Sequence, residues 1–223
     1  MSLPEWVEPV ASYMFHVGLP GTLRIAGAAL VGSALIGIVL GTLLTLDSRL
    51  VRAPIRLYIE VWRGLPILVT LFIVFFALPA LSDKLRFDAF TAAAIGLTLW
   101  GSAQVAEATR GAVGSIPREQ HEASAALGFG WFGRHRYVIL PQALRRLLPP
   151  FVSLLVNIIQ NTTIAQVIGA AELLETGERS VERLTFTTLE SHAIAIYGGV
   201  AATFFLMSFP LTRLAAHLEK RLV

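Results

Sequence analysis

The chain has 223 residues, 55% of them apolar and only 15% charged, against about 25% charged in a soluble domain. It has no cysteine, which excludes a disulfide scaffold, a thiolate zinc site and a cysteine nucleophile. The net charge of +3 is small and gives no reason to expect a nucleic acid partner, so the apolar bulk must face a lipid bilayer.

Five long charge-free runs occur, in order Ile25–Leu46, Gly64–Ser82, Ala89–Ala106, Leu147–Ala171 and Ala193–Thr212. About 20 apolar residues cross a ~30 Å hydrocarbon core as a helix. None of the runs alternates polar with apolar residues as barrel strands do. The expectation is an all-α membrane protein with five transmembrane helices, over about 20–46, 58–82, 89–113, 145–169 and 192–213. The first comes after an acidic leader (Glu5, Glu8) and reads as a span, not a cleaved signal peptide. Its Gly37 and Gly41 suit close helix packing within the subunit, with a dimer contact as the alternative. The second and third spans carry Glu60/Arg63 and Glu107/Arg110 at i, i+3. Both pairs are expected to be structural ion pairs near the membrane interface, because unpaired charge in a bilayer is costly. In the fourth, Gln160, Asn161, Thr162 and Thr163 interrupt the apolar run. A helix that ends or unwinds there would expose polar groups to a cavity; the alternative is that these side chains bond neighbouring helices.

Basic residues set the orientation. Thirteen of the 18 fall in the connections after the first and third spans and at the C-terminus, while Glu172, Glu175, Glu178, Glu182 and Glu190 crowd one loop on the other side. The positive-inside rule then places the N-terminus outside and the C-terminus in the cytoplasm. No linker, low-complexity tract or internal repeat divides the chain, so residues 1–223 are expected to form one membrane domain. The five histidines show no metal spacing, and no phosphate-binding loop of the Gly-x-x-x-x-Gly-Lys-Ser/Thr kind occurs.

The cytoplasmic connection over about 114–144 is the most informative stretch. Pro117 can open a helix, Glu119 and Glu122 suit its early part, and Gly128 and Gly130 end it. Ala123, Ala126 and Leu127 share one small, flat face that suits docking into a groove of another protein; an amphipathic helix lying on the bilayer surface is the alternative. The stretch resembles the loop of bacterial ABC importer permeases, Glu-Ala-Ala, three residues, Gly, nine residues, Ile, one residue, Leu-Pro. Here it reads Glu122-Ala123-Ser124, Gly128, Val138, Leu140 and Pro141, with Ser124 and Val138 as mild departures.

From about Gly21 to Arg221 the chain is similar to the polar amino acid permeases, the histidine, glutamine, glutamate and arginine importers. Gly21-Thr22-Leu23, Val61-Trp62-Arg63-Gly64-Leu65-Pro66, Glu107 with Arg110-Gly111, Leu140-Pro141-Gln142-Ala143-Leu144-Arg145 and Glu172-Leu173-Leu174 carry that similarity. The resemblance implies that Glu122, Ala123, Ser124, Gly128, Leu140 and Pro141 couple to an ATPase. It also implies that Gln160, Asn161, Thr162 and Thr163 lie near the substrate path. Gln160 stands where the family has Lys. Trp100 and Gln104 replace an Asn and a Tyr, which implies a different amino acid or a non-binding half of a heterodimer.

The implied partners are two cytoplasmic ABC ATPase subunits, a second permease that is identical or paralogous, an extracytoplasmic solute-binding protein and a polar amino acid. ATP and Mg would sit on the ATPase, with no cofactor on this chain. An ion-driven secondary transporter and a non-transporting membrane scaffold are the rival readings. Missing repeats and missing mid-span carboxylates weigh against the first, and the polar break at 160–163 against the second.

Overall fold

The structure is a computed structural model and describes residues 4–222. No strand occurs among the described residues. The helices in chain order are α1 (Val7–Leu43), α2 (Arg49–Gly64), α3 (Ile67–Leu81), α4 (Ala89–Gly114), α5 (Arg118–Ala126), α6 (Trp131–Ile168), α7 (Leu173–Thr188) and α8 (Ala193–Leu222). Helices α1, α4, α6 and α8 are each long and apolar enough to cross a membrane, and the bent pair α2–α3 makes a fifth if counted as one broken span. The all-helical membrane class expected from composition is therefore found.

Several boundaries differ from the charge-free runs. The second span is not one helix over 58–82: α2 and α3 meet at a 108° bend. Pro66 causes it, since a proline ring pushes the preceding residue out of helical backbone, and Leu65 is extended at φ −78° and ψ 139°. The fourth helix starts at Trp131, not near 145, so much of the expected 114–144 loop is helical. The first starts at Val7, and the last runs on to Leu222. Charge marks where a helix leaves lipid, whereas backbone hydrogen bonding decides where it ends, and these helices outrun the hydrocarbon.

Helices α1, α3 and α6 each contain one wide, π-type turn, at Met14–Gly18, Ile73–Ala77 and His135–Ile139. Each is closed by a leucine whose N–H reaches back five residues (Leu19 to Met14, Leu78 to Ile73, Leu140 to His135), and each leucine precedes a proline (Pro20, Pro79, Pro141). A proline in a helix lacks an N–H and crowds the carbonyl four residues back. Widening the preceding turn relieves that crowding without breaking the helix.

The chain divides into two compact units. The first comprises the residues up to Ala29, Ile67–Leu97 and Val156–Pro210. Met14, Leu173, Ile196 and Val200 form a buried cluster in it. Gly21 is required by close approach, because a Cβ there would run into the Ala171 carbonyl. Thr22 accepts the Leu173 N–H at 3.1 Å and its hydroxyl faces the fully buried Glu172 carboxylate at 3.5 Å. Glu172 caps α7 by accepting the N–H groups of Leu174 and Glu175 at 3.0 and 2.8 Å. Burial pushes its carboxyl up to about 7, although those bonds oppose the rise.

The second unit comprises Leu30–Pro66, Thr98–Leu155 and the residues from Leu211. Gly37 and Gly41 of α1 abut Val105, Ala106 and Thr109 of α4, so this glycine pair packs within the subunit. Beside it the Tyr58 hydroxyl donates to Ser102 Oγ at 2.6 Å, and Ser102 in turn donates to the Leu99 carbonyl at 3.0 Å. A second cluster of Ala112, Val113, Ile116, Ile139, Ala143 and Leu147 joins the end of α4 to the start of α6.

Candidate functional site

Helix α5 begins after Pro117, whose backbone is extended at ψ 142°. It ends in a complete Schellman motif. The Phe129 N–H bonds the Ser124 carbonyl at 3.2 Å, the Gly128 N–H bonds the Ala125 carbonyl at 2.9 Å, and Gly128 takes φ +83°. Only glycine adopts that backbone without strain. Glu119, Glu122, Ala123, Ala126 and Leu127 are all exposed, Leu127 by 76%. Ser124 is the inward residue of the motif, buried with its hydroxyl on the His121 carbonyl at 3.0 Å. The outward face therefore carries two carboxylates, two alanines and a leucine that no other part of the second unit covers. Arg118 Nε bonds Glu122 at 2.8 Å, but both side chains are largely exposed, and such pairs contribute little.

Residues given no role from sequence hold α5 in place. Gln142 Nε2 donates to Gln120 Oε1 at 3.3 Å and to the Val138 carbonyl at 2.8 Å. Arg146 binds the Ser115 carbonyl and, at 3.0 Å, its Oγ. Buried His135 bridges the Trp131 carbonyl and Thr45 Oγ1, both at 2.9 Å. The Leu-Pro-Gln run was the available signal: Leu140 closes the wide turn, Pro141 lies exposed just after it, and Gln142 reaches α5. Among the described residues no group of side chains has a metal-binding arrangement.

A polar cleft of about 410 Å³ lies in the same unit, lined by Arg56, Ile59, Glu60, Arg63, Gly64, Gln104 and Glu107. Glu107 and Arg110 form the expected ion pair. Glu60 and Arg63 do not: among the described residues no ion pair joins them, and Arg63 Nε instead donates to Gln104 Oε1 at 3.1 Å. Sitting in the last turn of α2, Arg63 reaches across to α4 instead of back along its own helix. Gln104, expected on the substrate path, thus has a protein partner and a cleft beside it, and Trp100 one turn earlier is half-buried.

In the first unit, the α-helical part of α6 ends at Asn161 and tightens into a 3₁₀ helix over Thr162–Ile168. The expected end of regular helix is present, yet the side chains neither open outward as a group nor bond other helices. Asn161 Nδ2 donates to the Asn157 carbonyl, Thr162 Oγ1 to that of Ile159 and Thr163 Oγ1 to that of Gln160, each at 2.8 Å. Thr162 is fully buried. Gln160 is exposed and is the residue of the four that turns a free amide outward.

The chain is thus a helical membrane protein that displays a capped helix between its third and fourth spans. Residues 33–223 match the family described as "Binding-protein-dependent transport system inner membrane component", and the chain belongs to that family. It is a permease of an ABC importer and resides in the inner membrane. Among its relatives, the glutamine transport system permease protein GlnP of Escherichia coli (strain K12) is 37% identical over 205 residues, 92% of this chain and 91% of that one. The probable amino-acid ABC transporter permease protein YckA of Bacillus subtilis (strain 168) is 34% identical over 191 residues, 84% of each chain. A crystal structure of an amino acid ABC transporter with histidines superposes with a TM-score of 0.82 at 27% identity, covering 99% of this chain and 100% of that one. The inward-facing MetNI methionine ABC transporter shares the fold, with a TM-score of 0.78 at 18% identity over the whole of both chains.

Proposed function

We propose that this chain is one of two permease subunits of an ATP-driven importer for a polar amino acid, with α5 as the helix that seats in the ATPase. The exposed face of α5, small and flat at Ala123 and Ala126 with Leu127 76% exposed at its end, carries this reading. An apolar face that its own unit leaves uncovered is suited to a partner's groove. In this arrangement residues 1–223 act as one transmembrane domain with the N-terminus outside. Two cytoplasmic ATPase subunits hold ATP and Mg, and this chain holds no cofactor. A second permease, identical or paralogous, completes the pathway, and an extracytoplasmic binding protein delivers the solute.

Motion enters at α5 and passes to α6 through Gln120–Gln142 and Ser115–Arg146. The same helix carries Gln160–Thr163. The cleft around Gln104 presents guanidinium groups from Arg56 and Arg63 and carboxylates from Glu60 and Glu107. Both charges of a zwitterion find opposite partners there. The homologues named for glutamine and for amino acids support the same substrate class.

The test is Glu122→Lys in the importer reconstituted with its ATPase and binding protein. Because the Arg118–Glu122 pair is exposed, the fold should survive. Substrate-stimulated ATP hydrolysis should fall by at least about tenfold, equivalent to ~1.4 kcal/mol of lost coupling. Stimulation equal to that of the unsubstituted complex, or failure of the chain to associate with any ABC ATPase, would sink the reading.

A further inference from the structure

The second unit carries, apart from the polar cleft, an apolar groove of about 410 Å³ between α1 and α6. Val39 and Leu43 form one wall, Leu140 and Leu144 the other, and Trp131 and Arg136 close one end. Val39 is 56% exposed and Leu144 38%, so the groove opens sideways, toward lipid in a membrane-spanning chain. Its closed end has the chemistry of a membrane interface. Trp131 is stacked on His135 at 4.2 Å, and His135 is fixed by its two hydrogen bonds. Arg136 lies 5.7 Å from the ring of Tyr137. Aromatic rings with a polar edge prefer the headgroup level.

The charge on the α6 side of this groove has one sign. No Asp or Glu occurs from Ala123 to Ala171, while Arg134, Arg136, Arg145 and Arg146 all do. Arg146 is engaged by Ser115. Arg136 is exposed and makes no ion pair among the described residues. An unneutralised guanidinium at the mouth of an acyl-sized groove suits a phosphate without a compensating ammonium, and basic pockets between helices on the cytoplasmic side are where anionic headgroups bind.

We propose that the groove holds one anionic glycerophospholipid of the inner membrane, an acyl chain between Val39 and Leu144 and the phosphate on Arg136. The proposal rests on the orientation with the N-terminus outside, which puts Arg136 at the cytoplasmic leaflet, but not on the identity of the transported solute.

Native mass spectrometry of the assembled importer, released from nanodiscs of equal phosphatidylglycerol and phosphatidylethanolamine, tests it. The importer should keep phosphatidylglycerol over phosphatidylethanolamine by about tenfold, the ratio expected for a charge-assisted contact. Arg136→Gln should erase the preference, Arg136→Lys should restore most of it, and Val39→Trp should expel both lipids by filling the groove. Equal retention of the two lipids by the unsubstituted importer, or an undiminished preference in Arg136→Gln, would overturn the proposal. So would efficient cross-linking of a Val39→Cys variant to another subunit in intact membranes, which would assign the groove to a protein. The chain has no other cysteine, so that result would be unambiguous. Solute uptake, measured in parallel, reports separately on the permease reading.

Discussion

Two helix ends in this chain are built alike and used differently. After α5, Gly128 sits at φ +83°, and after α6, Gly169 sits at φ +78°. Both close a full Schellman motif, with Phe129 and Gly128 bonding Ser124 and Ala125, and with Ala170 and Gly169 bonding Ala165 and Gln166. At neither glycine would a Cβ meet another atom within 4 Å. Beyond Gly128 the chain is exposed or half-exposed through Trp131. Beyond Gly169 lie Ala170, Glu172 and Leu173, all buried. The role of each end is set not by its cap but by the burial of the next few residues. One end displays a helix to a partner, and the other feeds a buried carboxylate that caps α7.

The strongest way to break that comparison is to place the same strain at both ends. Valine in left-handed backbone costs about 1–2 kcal/mol. At Gly128 the exposed end can fray to relieve it, so Gly128→Val should move the melting temperature of the purified complex by less than about 2 °C. It should nevertheless cut substrate-stimulated ATPase activity by about tenfold, because the docking face loses its shape. At Gly169 fraying would pull Ala170 and Glu172 out of the interior, so Gly169→Val should lower the melting temperature by on the order of 5 °C. Equal effects of the two substitutions on stability would refute the distinction.

The buried carboxylate sharpens the comparison through pH. In the unfolded chain Glu172 titrates near its ordinary 4.5, and in the folded protein near 7. Between those values the folded state binds the extra proton, so stability is greatest at low pH and declines as pH rises through this window. The decline amounts to about 3 kcal/mol for a shift of this size. Glu175, pushed up by burial and partly held by Arg179, adds in the same direction. Melting curves should fall by on the order of 8 °C from pH 5 to pH 8, and Glu172→Gln should remove most of that slope. Parallel slopes for the two proteins would show that Glu172 is not the group responsible.

Much of this was legible in the sequence because single residues with strong local rules carried it. Pro117 and Gly128 bounded α5, the i, i+3 spacing paired Glu107 with Arg110, and Gly37 and Gly41 marked a close helix contact. The misreadings arose where two rules competed. Gly64–Ser82 is free of charge, yet Pro66 inside it bends the backbone by 108°, so hydropathy overran a steric break. Arg134, Arg136, Arg145 and Arg146 ended the apolar run without ending the helix. Arg63 could have met Glu60 on its own helix, and only the packing of α2 beside α4 chose Gln104. The burial of Glu172 left no local trace, because a carboxylate that caps a helix looks the same in sequence whether wet or dry.

The smallest expected effect concerns the four polar residues of α6, which lie shortly before the end marked by Gly169. Asn161 is bonded to the Asn157 carbonyl, so Asn161→Ala should cost about 0.5–1.5 kcal/mol of stability. Gln160 is exposed, and its amide has no hydrogen-bond partner among the described residues. Gln160→Ala should therefore change stability by less than about 0.5 kcal/mol. If that outward amide meets the solute, the same substitution should raise the KM for uptake by about fivefold, the loss of one neutral hydrogen bond, with the maximal rate and the melting curve unchanged. A KM equal to that of the unsubstituted importer would remove Gln160 from the solute's path and leave the cleft at Gln104 as the place to look for it.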